Sequence, residues 1–463
     1  MSPRLLILLL STLFLSRTLR AQNRPEVNIH FSNLLATYDF VQQLSADRPD
    51  NRYKQLFAGS AYNRSPYREL IQQMDTIRLY ESYAYQDYPT GQKIPGITTA
   101  FIERNLIHAT SLTGFKQQSF GIVPNEELFG LCRILSAFLP VYDSLIYQPN
   151  RKAFEEKLNA LSAFVGKANL AHFFETGLRF YHTEWDQDIS FDIAVIPSVN
   201  EEGFSARAFL NNAVSEVPLN FDNNEVLFSV LLHEIYHILY DGQSLRLKQD
   251  MAAWFGENRS MGSQYASLLL NEALATALGN GYVYEQLNGA ADTTDWYNVR
   301  YINLMARRLY PVLKSYIAEH KAIDQDFVDQ YVALYDTSWT RELDHLFKNR
   351  YVMADSKEVL QYFIQQYPHA SMYESVTPVN ADNLSRMQQT PITKIVVVSS
   401  DRIAKLQAVH KAFPELKQWQ YDARKDFVYT TMLKDKTRLF VINCVRETAG
   451  SLLEQYYPKG RIE

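Results

Sequence analysis

Apolar positions along this chain recur mostly at helical spacing, and alternating or continuously β-branched runs are few and short. Between residues 28 and 180 the pattern predicts helices over 32–45, 66–83, 125–147, 151–165 and 170–182. The stretch 88–120 reads as a connection, with Tyr88-Pro89-Thr90-Gly91 as its clearest turn. Strand signals start at 191–197, FDIAVIP, and continue in a second extended segment over 204–217. Residues 222–242 then read as one helix, with Asp222 and Glu225 at capping-box spacing and Gly242 as a left-handed stop. A polar, irregular link over 241–261 leads to a second helix at 262–281, where Ser263 is the expected N-cap. Helices resume at 295–320, 324–335, 339–351 and 357–367.

A polar, turn-rich stretch over 377–391 marks a change of texture. It is followed by a strand at 394–399, a helix at 402–413, a strand pair at 427–433 and 438–443, and a helix near 448–457. The fold class that follows is α+β. A mainly helical domain with a small mixed sheet occupies 22–380, and a small α/β domain occupies 390–463. The larger domain divides into a helical part (22–185), a sheet with two long helices (186–290) and a second helical part (291–375). Ser399 and Ser400 follow a strand, as in a phosphate-cradling turn, but without the glycines such turns carry.

The chain has 463 residues, 46% of them hydrophobic, enough for a substantial core. A net charge of −5 without a basic tract speaks against nucleic-acid binding. Cys132 and Cys444 are the only cysteines, too few for a disulfide framework, and read as small buried hydrophobes. Residues 1–21 read as a signal peptide: Arg4 precedes the apolar run 5–15, too short to span a bilayer, and Ala21 offers a cleavage point. The mature chain is therefore expected to be exported, periplasmic or secreted, with no integral membrane span.

The chemistry concentrates at His233-Glu234-Ile235-Tyr236-His237, inside the helix 222–242. Histidines four apart project from one helix face, about a turn apart, so both imidazoles can reach one zinc ion. Glu234, beside the first, can act on an activated water. A catalytic zinc site wants a third protein ligand. The second helix carries a single carboxylate, Glu272, among Leu268, Leu269, Leu270, Ala273, Leu274 and Ala277. Burying it there is costly unless it is paired or bound to a metal. The bland alternatives are histidines that hydrogen-bond locally and a glutamate on the solvated helix edge.

HEIYH followed on a second helix by LNEALA resembles the gluzincin group of zinc metallopeptidases, whose pattern is H-E-x-x-H with a later N-E-x-x-A. The resemblance covers these two helices and implies a zincin-like domain binding one zinc ion. It implies that His233, His237 and Glu272 hold the metal and that Glu234 is the general base; Asn271 matches the residue before the glutamate ligand. Thirty-four residues separate His237 from Glu272, longer than in thermolysin-like or aminopeptidase-N-like members, so no family within the group is named. Tyr240 and Gln243 stand where a metzincin would need glycine and a third histidine. The resemblance also implies an edge strand along the cleft, here 208–213, that pairs with the substrate backbone.

The expected function is an exported zinc peptidase acting on a peptide or protein substrate. Endopeptidase is favoured because the G-x-M-E-N stretch of aminopeptidase-N-like enzymes is absent. The alternatives are a non-catalytic zincin-like binding protein and a metal-free interaction protein with a chance motif. Tyr301, Tyr310, His369 and Tyr373 are candidates for an oxyanion donor, none singled out. Oligomeric state has no signature in the sequence.

Overall fold

The computed structural model describes residues 26–462 apart from 83–85, 89–96, 201–204, 338–340 and 368–371. The expected leader 1–21 and His369 lie outside the described residues. The first element among the described residues is a four-residue strand, β1 (Val27–His30), too short to register as a sequence pattern. Helix α1 (Asn33–Gln43) follows, where Ser32 Oγ accepts the Leu35 N–H and so satisfies one orphan donor. The stretch 97–120, expected as a connection, carries α2 (Thr98–His108) and the short helix Leu112–Ser119. Its proline signals end at Pro95, ahead of both, and only Gly114 falls inside the second. Helix α3 (Asn125–Tyr142) runs through a π turn, Asp143–Tyr147, into α4 (Gln148–Lys167), and α5 (Leu170–Tyr181) packs back. The run Asn125–Lys167 is long and apolar enough to cross a membrane, and half of its most apolar window is buried inside the protein.

The first sheet has strand order β1-β2-β4-β3, with β2 (Phe191–Ser198) parallel to β1 and β4 and only β3 antiparallel. The expected single segment 204–217 is a hairpin of β3 (Ser205–Phe209) and β4 (Asn212–Pro218), turned at Leu210 with φ 56°. The edge strand is therefore Ser205–Phe209, and the 208–213 stretch expected to be that edge spans the turn.

Helix α6 (Asn224–Asp241) follows directly. Its cap is Asn223 rather than Asp222, which instead pairs with Lys157 at 2.9 Å. Gly242 ends it at φ −76°, without the left-handed turn expected of it. The polar link, whose length calls for an inserted turn or short helix, holds α7 (Leu245–Glu257), capped by Ser244. Helix α8 (Ser263–Ala275) continues through a π segment, Thr276–Val283. Gly262 takes the N-cap position expected of Ser263, whose hydroxyl donates to the Phe255 carbonyl. Helices α9 (Arg300–Ala318) and α10 (Gln325–Asp336) complete the helical part.

The second sheet has order β6-β5-β7-β9-β8, all parallel except β8. Its strands are β5 (Asn349–Ala354), β6 (Met372–Val376), β7 (Thr393–Val398), β8 (Phe427–Met432) and β9 (Arg438–Asn443). Helices α11 (Lys357–Gln366), α12 (Ala381–Gln389), α13 (Arg402–Ala412) and α14 (Ala449–Tyr456) accompany them. Strand β5 comes from the stretch expected to end a helix at 351, so this sheet takes two strands from ahead of the 390–463 span. Its residues are buried on both faces, and such a run has no period to tell it from a helix. With helices predominating around two small mixed sheets, the class is α+β.

Alternation along the strands sets the layers. On β2, Ile193 and Val195 face the core that contains α6 and α8, while Ala194 and Ile196 face the N-terminal helices. On β7, Ile395 and Val397 face that same central core, and Val396 and Val398 face the outer helices. Helices α6 and α8 thus lie between two sheets. The π segment that continues α8 lies against α6 at Gly279, where an added Cβ would sit 2.8 Å from the N, Cα and Cβ of His233. Gly279→Ala is expected to destabilise the fold by about 1–3 kcal/mol, because backbone would have to move. Gly256→Ala, within α7 with nothing inside 4 Å, is the control and is expected to lose nothing. Denaturant unfolding of both variants checks this.

Candidate metal centre

Helix α6 is buried along most of its length, so its polar residues must be satisfied by protein or ligand. His233, Glu234 and His237 are only 5%, 6% and 4% exposed. The two rings stand one turn apart at 4.7 Å between centroids, nearly perpendicular, with their Nε2 atoms 3.0 Å apart. Glu272, on the adjacent α8, points at both: its Oε2 lies 3.8 Å from His233 Nε2 and 3.5 Å from His237 Nε2. The three sequence-expected ligands are thus brought together, within 4.8 Å of one another. Glu272 does not project from a solvated edge away from the rings.

The far sides of the rings decide what Nε2 can do. His233 Nδ1 lies 3.1 Å from Asn280 Oδ1, and the Asn280 Nδ2 donates to the Trp296 carbonyl at 2.9 Å. That second bond fixes which way the amide faces, so His233 Nδ1 carries the hydrogen and donates it. His237 Nδ1 lies 2.9 Å from Asn271 Oδ1, an oxygen that can only accept. Both Nε2 atoms then present lone pairs toward a carboxylate. Three electron-rich atoms converge in a mostly buried place, an arrangement that repels itself without a cation. Tetrahedral bonds of 2.0–2.1 Å put ligand atoms about 3.3 Å apart. The observed 3.0, 3.5 and 3.8 Å bracket that value, so the donor set fits zinc.

A cleft of about 1050 Å³ opens over these residues, with Glu234 at its floor beside His233 and His237. Ala206, Arg207 and Ala208 of β3 form one wall, and Trp296 and Tyr297 the other. Arg207 is held from behind: Nε donates to Glu103 at 2.7 Å and Nη2 to both Asp39 oxygens at 3.0 Å. Burial pushes Asp39 up to about 6 even against that guanidinium, and Glu216 up to about 7.

Sequence reasoning missed three residues here. Asn280 and Gly279 sit in the π segment past the motif, and only the excess of glycine and asparagine in LGNG hinted at them. Tyr297 lies in a loop without pattern. Its ring stacks on His233 at 5.8 Å, its hydroxyl bonds Glu272, and burial followed by that carboxylate drives its pKa upward. None of the described oxyanion candidates lines the cleft: Tyr301 donates to Glu342, Tyr310 to Glu285, and the Tyr373 ring lies under the Arg350 guanidinium. Ser399 and Ser400 do turn their amides to an anion, but it is the protein's own Asp355 carboxylate, 2.9 Å from each. Both cysteines are buried free thiols, as expected. No protein-family model, no curated protein and no solved structure matches this chain.

Proposed function

We propose that this chain is an exported, zinc-dependent peptidase of gluzincin type, with a zincin-like catalytic unit acting on peptide or protein substrates. The observation that carries the reading is the convergence of two imidazole Nε2 atoms and one carboxylate, each imidazole turned by an asparagine. Export rests on the leader pattern at 1–21. A zinc ion held by His233, His237 and Glu272 would supply Lewis-acid polarisation of a scissile carbonyl and an acidified water. Glu234, facing the cleft beside His233, takes a proton at its carboxylate and passes it to the leaving amine. Asn280 and Asn271 hold the histidines in the tautomer that leaves Nε2 basic. Tyr297, bonded to Glu272 and stacked on His233, closes one side of the site and limits water entry. Strand β3 is a free sheet edge along the cleft, suited to pairing with an extended substrate.

Glu234→Gln is expected to keep about one zinc per chain while peptide hydrolysis falls by about 10²–10⁴. His237→Ala is expected to lose both metal and activity. Elemental analysis with hydrolysis of a generic protein substrate, with and without chelator, measures these; full activity in Glu234→Gln excludes the mechanism. Zinc bound without any hydrolysis in the wild type would favour a non-catalytic binding protein. Asn280→Ala is expected to weaken zinc binding about 10–100-fold, read by competition with a chromophoric chelator.

A further inference from the structure

The second sheet grips the metal-ligand helix at the opposite end from its own crevice. In open parallel α/β sheets a ligand site belongs at the C-terminal ends of the strands, at the point where strand order reverses. Here that point lies between β5 and β7, and the protein fills it itself. Asp355 accepts from the Ser399 and Ser400 amides at 2.9 Å and from Lys405 Nζ at 2.6 Å.

The N-terminal ends of β7 and β9 instead meet the start of α8. Lys436, at the tip of the β8–β9 turn with φ 62°, puts its ammonium among the oxygens that join α7 to α8. It donates to the Gly256 carbonyl at 2.8 Å, to Ser263 Oγ at 3.0 Å, to the Phe255 carbonyl at 3.3 Å and to the Asn258 carbonyl. Phe255 and Gly256 are in the last turn of α7, whose carbonyls have no partner within the helix, so a cation is well placed there. One turn into α8, the Tyr265 hydroxyl accepts the Arg438 N–H at 2.9 Å and pairs with Thr393 Oγ1 at 2.8 Å. Gln264 donates to the Pro391 carbonyl at 3.0 Å.

Tyr265 and Glu272 are seven residues apart, two turns along one stripe of the helix and about 10 Å in rise. A helix is stiff over that length, so what fixes Tyr265 fixes Glu272. Metal–ligand distances tolerate only about 0.2 Å, so the helix needs an anchor at each end. The Gly279 contact supplies one. We infer that the C-terminal α/β unit is the other: a brace that keeps Glu272 in register with the two histidines, with Lys436 and Tyr265 as positioning residues. The inference rests on the zinc reading above and deepens it.

The full-length chain carrying Lys436→Met, Tyr265→Phe, Lys436→Arg or Lys405→Met tests it. Zinc affinity is read by chelator competition and ligand geometry by the visible absorption of the cobalt(II)-loaded protein. Lys436→Met and Tyr265→Phe are expected to weaken zinc binding about tenfold or more, alter the cobalt band, and lower kcat with KM unchanged. Lys436→Arg is expected to restore all three, and Lys405→Met, at the far end of the sheet, to change none. Tyr265→Phe removes a single oxygen and answers the question should Lys436→Met not fold. Wild-type zinc affinity and cobalt spectrum in Lys436→Met and Tyr265→Phe overturn the brace, as does an equal loss in Lys405→Met. A wild-type chain that takes up no zinc overturns the zinc reading itself, and the brace with it.

Discussion

Two imidazoles and a carboxylate face one another across 3.0–3.8 Å, and most of the structure is arranged to keep them there. Each group carries lone pairs toward the same point, and neither ring can turn away without losing its asparagine partner. His233 and His237 are tied at Nδ1 by asparagine oxygens, and Glu272 is set on a helix that sits between two sheets. Setting a carboxylate against two imidazole lone pairs in a mostly buried place is unfavourable unless a cation or a proton lies among them. A cation bound there would offset this cost, as the proposed zinc site requires.

The π segment explains how one helix can hold both sides of His233. In unbroken α geometry Glu272 and Asn280, eight residues apart, would sit about 80° apart around the axis. Widening the turns over Thr276–Val283 swings Asn280 back toward the same partner. The carboxylate then addresses Nε2 while the amide addresses Nδ1. That requires the π segment to lie against the α6 backbone, which only a residue without Cβ allows at position 279. The wider turn and the glycine are thus one device.

Most of the long helices were legible because their signals are local. The helices expected to start at 32 and 324 do so, capped by Ser32 and Asp324, whereas the caps expected at Asp222 and Ser263 fall one residue away, on Asn223 and Gly262. The three converging residues were legible too, because two share a helix face and the third is the one acid in an apolar helix. What escaped has distant causes. Strand β5 is buried on both faces and so carries no alternation, and its pairing with β7 is set over forty residues of intervening chain. Asn280 depends on a change of helical pitch that no residue type announces. Tyr297 and Lys436 reach their partners from irregular loop and turn, where only the folded chain defines a neighbour.

The cleft edge follows the same logic of anchoring from behind. Strand β3 is outermost in its sheet, so half of its main-chain groups turn away from β4. Next to a two-residue turn the flanking pair, Phe209 with Asn212, exchanges hydrogen bonds, and so does every second pair after it. Arg207 therefore spends its backbone on β4, and Ala206 and Ala208 turn theirs outward, toward the cleft they line. Small side chains at those two positions let an incoming strand approach closely. The Arg207 side chain, which could block that approach, is drawn back by Asp39 and Glu103. A peptide laid along this edge would find donors and acceptors already in place, and binding would cost little reorganisation of the protein. Under the proposed peptidase reading, rigidity on this wall and on helix α8 would hold a bound chain against Glu234 and the three converging ligand atoms by backbone pairing, whatever its side chains are.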